Sequence, residues 1–417
     1  MIIKDFASDE EYDEEKNTKQ STNDFEIALS PVRPFKFIEL LNTTLNPGSV
    51  PMNVIEELNS LNFDIFPYKD SNDEEFLILL LMQMFHKTGV MHEFNIPEST
   101  LYRFIKTVAM RYRSVPYHNF FHAWNVCQTM YFFLQSCGAG NFFNSYEVLA
   151  LLIAALCHDC DHPGLNNTFQ VKASTRVSIL HKKSILENHH LFHCYNILSQ
   201  PECNILQNMK HTDRKAVEWR ISKLILATDL AFHGFIHDKL VEKKKTFVKF
   251  TKLNETKTVD DISQTEEEDR ILLLCCLIKG GDLSNEIRPT NIAQRWAKLV
   301  IKEFFEQSKT ERSLDLAVTP FMDPQKVILS KEQINFIEGL CLPLYEPLST
   351  IFPPMALCVK QLLTNKAEWN NRLLNFFSND MASIKKLPNT SIWERDQEGK
   401  KWNKKNLLSL LNQTKEK

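Results

Sequence analysis

Glycine is scarce in this chain, ten among 417 residues, and that scarcity constrains the fold more than any single motif does. Turn-rich β architectures draw on residues that accept a positive φ, and glycine is the main supplier. Leucine, isoleucine, phenylalanine, glutamate and lysine are abundant instead, a balance that favours helices. Hydrophobic residues make up 43% of the chain, enough at this length to bury one large core or two ordinary ones. The expected fold class is all-α.

The formal net charge is -3 and the sequence pI about 6.5. Neither gives the basic signature of a nucleic-acid binder or of a protein held on a membrane surface. Ten cysteines sit mostly inside apolar stretches, as at Cys275-Cys276, which suits reduced thiols in a cytoplasmic protein. Cys157-His158-Asp159-Cys160 has the form C-x-x-C but closes a helical pattern with no βαβ context, so it reads as two packed thiols. The start of the chain, with Asp9-Glu-Glu-Tyr-Asp-Glu-Glu15, lacks the basic-then-apolar pattern of a signal peptide. The longest apolar run, residues 148–157, is too short to cross a bilayer, so no transmembrane segment is expected.

Residues 1–35 are polar and acidic and end near Pro31 and Pro34, the pattern of a disordered leader. A helical domain is expected over 36–392 and a polar tail over 393–417. Phe76, Leu77, Leu79, Leu80, Leu81 and Met84 suit a buried helix, and Ser99-Thr100 can cap the next. Further helices are predicted over 121–134, 146–157, 191–198, 220–235, 267–277, 292–307 and 331–348. Residues 240–269 turn polar and read as a solvated loop with charged helix ends.

Two clusters carry the chemistry: His118-Asn-Phe-Phe-His122 and His158-Asp159-Cys-Asp161-His162. Imidazole nitrogen and carboxylate oxygen hold zinc and harder divalent ions, so the clusters suit a metal-activated hydrolytic site. His118 and His122 are four apart, and on a helical turn both would face the same way, one to metal and one to substrate. Pro163 and Gly164 stop the helix before them, which delivers His158 and Asp159 at a helix end. Asp282 follows the apolar segment 271–278, and a buried carboxylate there needs a metal or a charged partner.

Together Tyr117-His118-Asn119-x-x-His122, His158-Asp159-x-x-His162-x-x-x-x-Asn167, Leu186-Glu187-Asn188-His189-His190, Ala227-Thr228-Asp229 and Asp282-x-Ser-Asn285 resemble the ordered signature of class I cyclic nucleotide phosphodiesterases. The resemblance spans roughly residues 52–385. Within that family, Asp282-Leu-Ser-Asn-Glu-Ile-Arg-Pro289, Pro320-Phe-Met-Asp323 and Gln333-Ile-Asn-Phe336-Ile337 are most similar to the ninth mammalian, cGMP-specific subfamily.

The resemblance implies a compact all-α catalytic domain of the HD-domain superfamily that hydrolyses a 3′,5′-cyclic purine nucleotide to the 5′-monophosphate. It implies two divalent ions. His122, His158, Asp159 and Asp282 would hold the tighter one, usually zinc, and Asp159 would also touch a second, usually magnesium or manganese. Water activated by the metals would attack the phosphate, and His118 would protonate the departing ribose 3′ oxygen. His162, Glu187 and Thr228 match positions that hold metal-bound water or orient the catalytic histidine. His189 and His190 read as core or helix-packing histidines. Tyr117, Leu230, Asn285, Val300, Gln333 and Phe336 match the substrate pocket, with Gln333 on the base edge and Phe336 stacked on the base. Taken alone, Gln333 would be a surface helix residue and Phe336 a core residue.

Phe304 stands where the subfamily has a tyrosine, and Glu332 where it has a small apolar residue, so cAMP, or both nucleotides, stay open beside cGMP. A homodimer also stays open. The competing readings are a noncatalytic nucleotide-binding scaffold and an HD-type phosphohydrolase of linear nucleotides. His118, His122 and Gln333-x-x-Phe336 speak for the cyclic substrate.

Overall fold

The computed structural model describes residues 50–253, 264–384, 394–395 and 401–402. The expected leader, 1–35, lies outside the described residues, as does nearly all of the expected tail. The long helices are α1 Glu74–Lys87, α2 Glu98–Arg111, α3 Phe120–Ser136, α4 Ser145–Cys157, α5 Ile185–Leu198 and α6 His211–Ala227. They continue as α7 His233–Leu253, α8 Gln264–Asp282, α9 Thr290–Ser313, α10 Leu329–Phe336, α11 Leu342–Ile351 and α12 Ala356–Ile384. Two-residue strands, Glu394–Arg395 and Lys401–Trp402, form the one β pairing among the described residues.

The centre of the fold follows from helices with no polar face. Residues 120–134 of α3 and 147–157 of α4 are buried without a break, so these two helices pack against each other inside the bundle. A capping box starts α4: Asn144 accepts from the Glu147 N–H at 3.0 Å, and the Asn144 N–H donates to Glu147 at 2.9 Å. Glu147 also takes the Arg270 guanidinium, with Nε at 2.8 Å, which ties the start of α4 to α8. All ten cysteines are buried and unbridged. No helix among the described residues is long and apolar enough to cross a membrane.

Glycine matters where α8 meets α3. A Cβ on Gly281 would come within 2.4 Å of Met130 Cε and 3.3 Å of Val126 Cγ1, so only a bare backbone lets α8 lie this close. The next residue, Asp282, ends α8 and thereby reaches the ring of His122 on α3.

Four sequence expectations change. The polar stretch over 240–269 is largely helical: α7 runs to Leu253 and α8 begins at Gln264, with 254–263 outside the described residues. Ile236, Leu240 and Phe247 form its buried stripe, and Lys243 pairs with Asp269, so the charges occupy helix flanks. The helix expected over 220–235 breaks at Thr228 and Asp229. Their freed carbonyls accept from the buried Lys279 ammonium at 3.3 and 3.1 Å, which satisfies groups the helix would have bonded. The expected cap at Ser99-Thr100 is not used; α2 starts one residue earlier, after Pro97, with no side-chain cap. The helix expected over 331–348 is α10 and α11 joined by a π-helical turn, Ile337–Cys341.

Candidate active site

The turn before α3 fixes the first histidine. Asn119 caps the helix by accepting the Phe121 N–H at 3.0 Å, and its amide donates back to Val115 and Pro116 carbonyls at 2.8 and 3.2 Å. His118 therefore precedes the helix, while His122 lies inside it. The two imidazoles do not share a helical face as their spacing suggests. They meet edge-on at 79°, with centroids 5.8 Å apart.

Glu303, on α9, sets the direction of His118. One carboxylate oxygen bonds His118 Nδ1, and the other accepts the backbone N–H of Tyr117 at 2.8 Å and of His118 at 3.0 Å. Burial pulls the His118 imidazolium toward losing its proton, but the Glu303 carboxylate, with Asp159 and Asp282 behind it, outweighs burial and holds the pKa at about 9. Nε2 is the nitrogen left free of Glu303. His162 stacks on this ring at 4.0 Å and 23°, and burial together with the charge on His118 keeps His162 neutral, well below its ordinary pKa.

The second element is a convergence of four donors. His122 Nε2 lies 3.2 Å from His158 Nε2, 3.1 Å from Asp282 Oδ1 and 3.5 Å from Asp159 Oδ2. His158 Nε2 lies 3.2 Å from Asp159 Oδ2 and 3.4 Å from Asp282 Oδ1. A cation with bonds of about 2.0–2.2 Å spaces adjacent ligand atoms about 3.0–3.5 Å apart, so these donors fit one ion. His158 Nδ1 bonds the Ala155 carbonyl at 2.9 Å, which aims Nε2 at the common point. The Tyr117 ring packs on His122 at 4.6 Å.

Electrostatics favour positive charge there. Burial works against ionising His158, yet Asp159 and Asp282 hold its imidazole well above the ordinary value. Burial likewise raises both carboxyls, but His158 at Asp159, and His122 with His158 at Asp282, hold them below the usual carboxylate range.

Asp159, His162 and His190 form a neighbouring group of donors. His190, expected as a core or helix-packing residue, is buried with Nδ1 on the Cys160 carbonyl at 2.6 Å, and its Nε2 also lies 3.6 Å from Asp159 Oδ1. His189 instead bonds Asp161 at 2.8 Å. Glu187 takes the Asn167 amide at 3.2 and 3.0 Å; burial and the nearby Asp229 push its pKa up to about 7. Thr228 donates to the Ile225 carbonyl at 2.7 Å.

Of the expected pocket residues, Asn285 donates from Nδ2 to the Tyr117 hydroxyl at 2.7 Å, and its buried Oδ1 has no partner. Gln333 is buried, which its sequence position alone does not suggest, and Phe336 and Val300 are half-buried on the adjoining helices α10 and α9. Leu230 lies on the short turn Leu230–Phe232 and is 55% exposed. Phe304 packs edge-on against Phe321 at 5.9 Å.

The family model for 3′,5′-cyclic nucleotide phosphodiesterase matches residues 117–362, which carry every residue of this arrangement. The chain belongs to the 3′,5′-cyclic nucleotide phosphodiesterase family. It is 37% identical over 300 residues to the human high affinity cGMP-specific 3′,5′-cyclic phosphodiesterase 9A, covering 72% of this chain and 47% of that one. It is 35% identical over 325 residues to the cGMP-specific 3′,5′-cGMP phosphodiesterase 3 of Dictyostelium discoideum, covering 76% and 65%. The chain thus spans about half to two thirds of the length of these curated relatives. The phosphodiesterase domain of the RhoPDE fusion protein from Salpingoeca rosetta superposes with a TM-score of 0.69 at 30% identity, over 77% of this chain and 97% of that one. The all-α fold is that of phosphodiesterase domains.

Glu303 belongs to this arrangement, and the motifs of the sequence do not single it out. Its signal lay in the helix pattern: the buried stripe of α9, with Ile292, Ala293, Trp296 and Ala297, continues at helical spacing through Glu303 and Gln307. A carboxylate in such a stripe needs a buried partner.

Proposed function

We propose that this chain hydrolyses a 3′,5′-cyclic purine nucleotide, cGMP foremost, to the 5′-monophosphate. The observation that carries the reading is the juxtaposition of His118, held by Glu303, with the four converging donors of His122, His158, Asp159 and Asp282. The names of the human and Dictyostelium relatives support cGMP as the base.

His122, His158, Asp159 and Asp282 would hold the tighter cation, zinc in this reading. Asp159 would share in a second, magnesium or manganese, with His162, His190 and Glu187 around it. When bound, such ions lower the pKa of water and offset the charge that gathers on the phosphate. His118 supplies the proton. With Nδ1 on Glu303, its Nε2 carries a proton at neutral pH and gives it to the departing 3′ oxygen, which is too basic to leave unaided. His162, neutral and stacked on the ring, supports the orientation of His118 without adding a competing charge.

Gln333 would read the base edge through an amide that both donates and accepts, with Phe336 against the base face. Asn285, its Oδ1 unpaired beside Tyr117, would take a further polar contact, and Val300 and Leu230 would bound the pocket. The catalytic unit would extend over 36–392, and reduced buried thiols suit the cytoplasm.

The deciding experiment is kcat/KM for cGMP and cAMP on the full metal-loaded chain, with the 5′-monophosphate identified as product. A higher value for cGMP is expected. Absence of turnover on both nucleotides would overturn the hydrolytic reading, and a preference for cAMP would overturn the choice of base.

A further inference from the structure

Beside the catalytic loop lies a second set of ligand-type side chains that the hydrolytic reading leaves unused. Asp161 has a left-handed backbone, with φ of 62°, and its carboxylate meets α5. Its Oδ2 lies 2.8 Å from His189 Nε2 and 3.3 Å from His193 Nε2. The two histidines are four apart on α5, so their rings share one face, with centroids 4.5 Å apart at 85°.

His193 is the residue that calls for explanation. Its side chain is 12% exposed, and both of its ring nitrogens are buried without a hydrogen-bond partner. The approach to Asp161 at 3.3 Å lacks hydrogen-bond geometry. A buried imidazole whose nitrogens make no hydrogen bond has lost water without replacement, so a ligand that takes a lone pair would remove a desolvation penalty.

We propose that Asp161, His189 and His193 form an additional cation site, distinct from the one at Asp159 and Asp282, that takes a borderline transition ion such as Zn2+. Two imidazoles and one carboxylate are a zinc-type donor set, with water completing the shell. The donor atoms lie within 4.8 Å of one another, close enough to meet one ion with small side-chain shifts. His189, 20% exposed at its side chain, gives the ion a route from solvent.

Arg113 forks onto the same carboxylate, Nε to Oδ1 at 2.8 Å and Nη2 to Oδ2 at 3.0 Å. It fixes the carboxylate's orientation, as groups behind a metal ligand do. Its charge also offsets that of Asp161, which sets the affinity below that of the two-aspartate cluster. A bound ion would join the loop after α4 to α5 and brace Asp159 from the far side.

The test measures zinc per chain after dialysis of the full chain against Zn2+ alone. His193→Val and His189→Asn are each expected to hold one equivalent fewer than the parent while melting like the parent in chelator. In the parent itself, Zn2+ is expected to slow carbethoxylation of His189 and His193, read by peptide mass, even when Asp282→Ala has removed the catalytic cluster. Equal zinc in the parent and both variants overturns the site, and so do modification rates that zinc leaves unchanged. Neither readout depends on nucleotide hydrolysis.

Discussion

Glu303 grips His118 at two points: one oxygen bonds the ring Nδ1, and the other accepts the backbone N–H of the same residue at 3.0 Å. Backbone and ring are thus fixed by one carboxylate, 185 residues away in sequence, and Nε2 is left for chemistry.

The first prediction concerns pH. Burial alone would lower the His118 pKa, and Glu303 leads the groups that hold it at about 9 against an ordinary 6.5. Proton donation is therefore retained at neutral pH and lost as pH rises through about 9. Glu303→Gln removes the leading opposing charge and leaves the burial, so the alkaline limb of the kcat profile moves to lower pH. Turnover at pH 8 should fall roughly 10- to 100-fold. For stability in chelator the sign is the same: the ion pair's contribution is complete below about pH 6.5 and disappears as pH rises through about 9. Thermal melts across that window check it.

His118 and Asp282 should fail in different ways. His118→Asn is expected to keep bound zinc while kcat drops by about 10² to 10⁴, the usual contribution of a positioned general acid. Asp282→Ala removes an oxygen 3.1 Å from His122 Nε2 and 3.4 Å from His158 Nε2. It should lose both metal and turnover, by about 100-fold or more in affinity. Metal content beside kcat separates the two, and full activity of Asp282→Ala would end the ligand assignment.

Gln333→Leu tests the base contact. A buried amide that meets a base edge contributes about 1–3 kcal/mol, so kcat/KM for the preferred nucleotide should fall roughly 10- to 100-fold. Discrimination between cGMP and cAMP should shrink with it. An unchanged ratio and rate would place recognition elsewhere.

Glu286 offers a test away from the chemistry. It is buried with Trp369 Nε1 donating to it at 3.2 and 3.1 Å, and burial pushes its pKa up to about 7. A carboxyl that binds its proton more tightly when folded favours folding most below about pH 4.5, and the benefit fades as pH rises through about 7. Glu286→Gln should therefore melt higher than the parent at pH 8, by about 1–3 kcal/mol in stability, with little difference at pH 4.5.

The helical class is legible in the chain alone, because scarce glycine and long unbroken apolar stretches such as 148–157 leave little besides buried helices. The sequence also brought out the donors adjacent in the chain, His158 and Asp159, and singled out Asp282 as a carboxylate that packing alone cannot explain. These are local facts, legible from residue type and spacing. Which distant groups meet depends on the packing of the whole chain. The helix begins after His118, so four-residue spacing did not give His118 and His122 a common face. Packing sets Glu303 against the 117–118 turn and His193 against Asp161, and no motif in the chain links either pair. A buried charge or lone pair depends on what the fold sets against it, and that information belongs to no single stretch of chain.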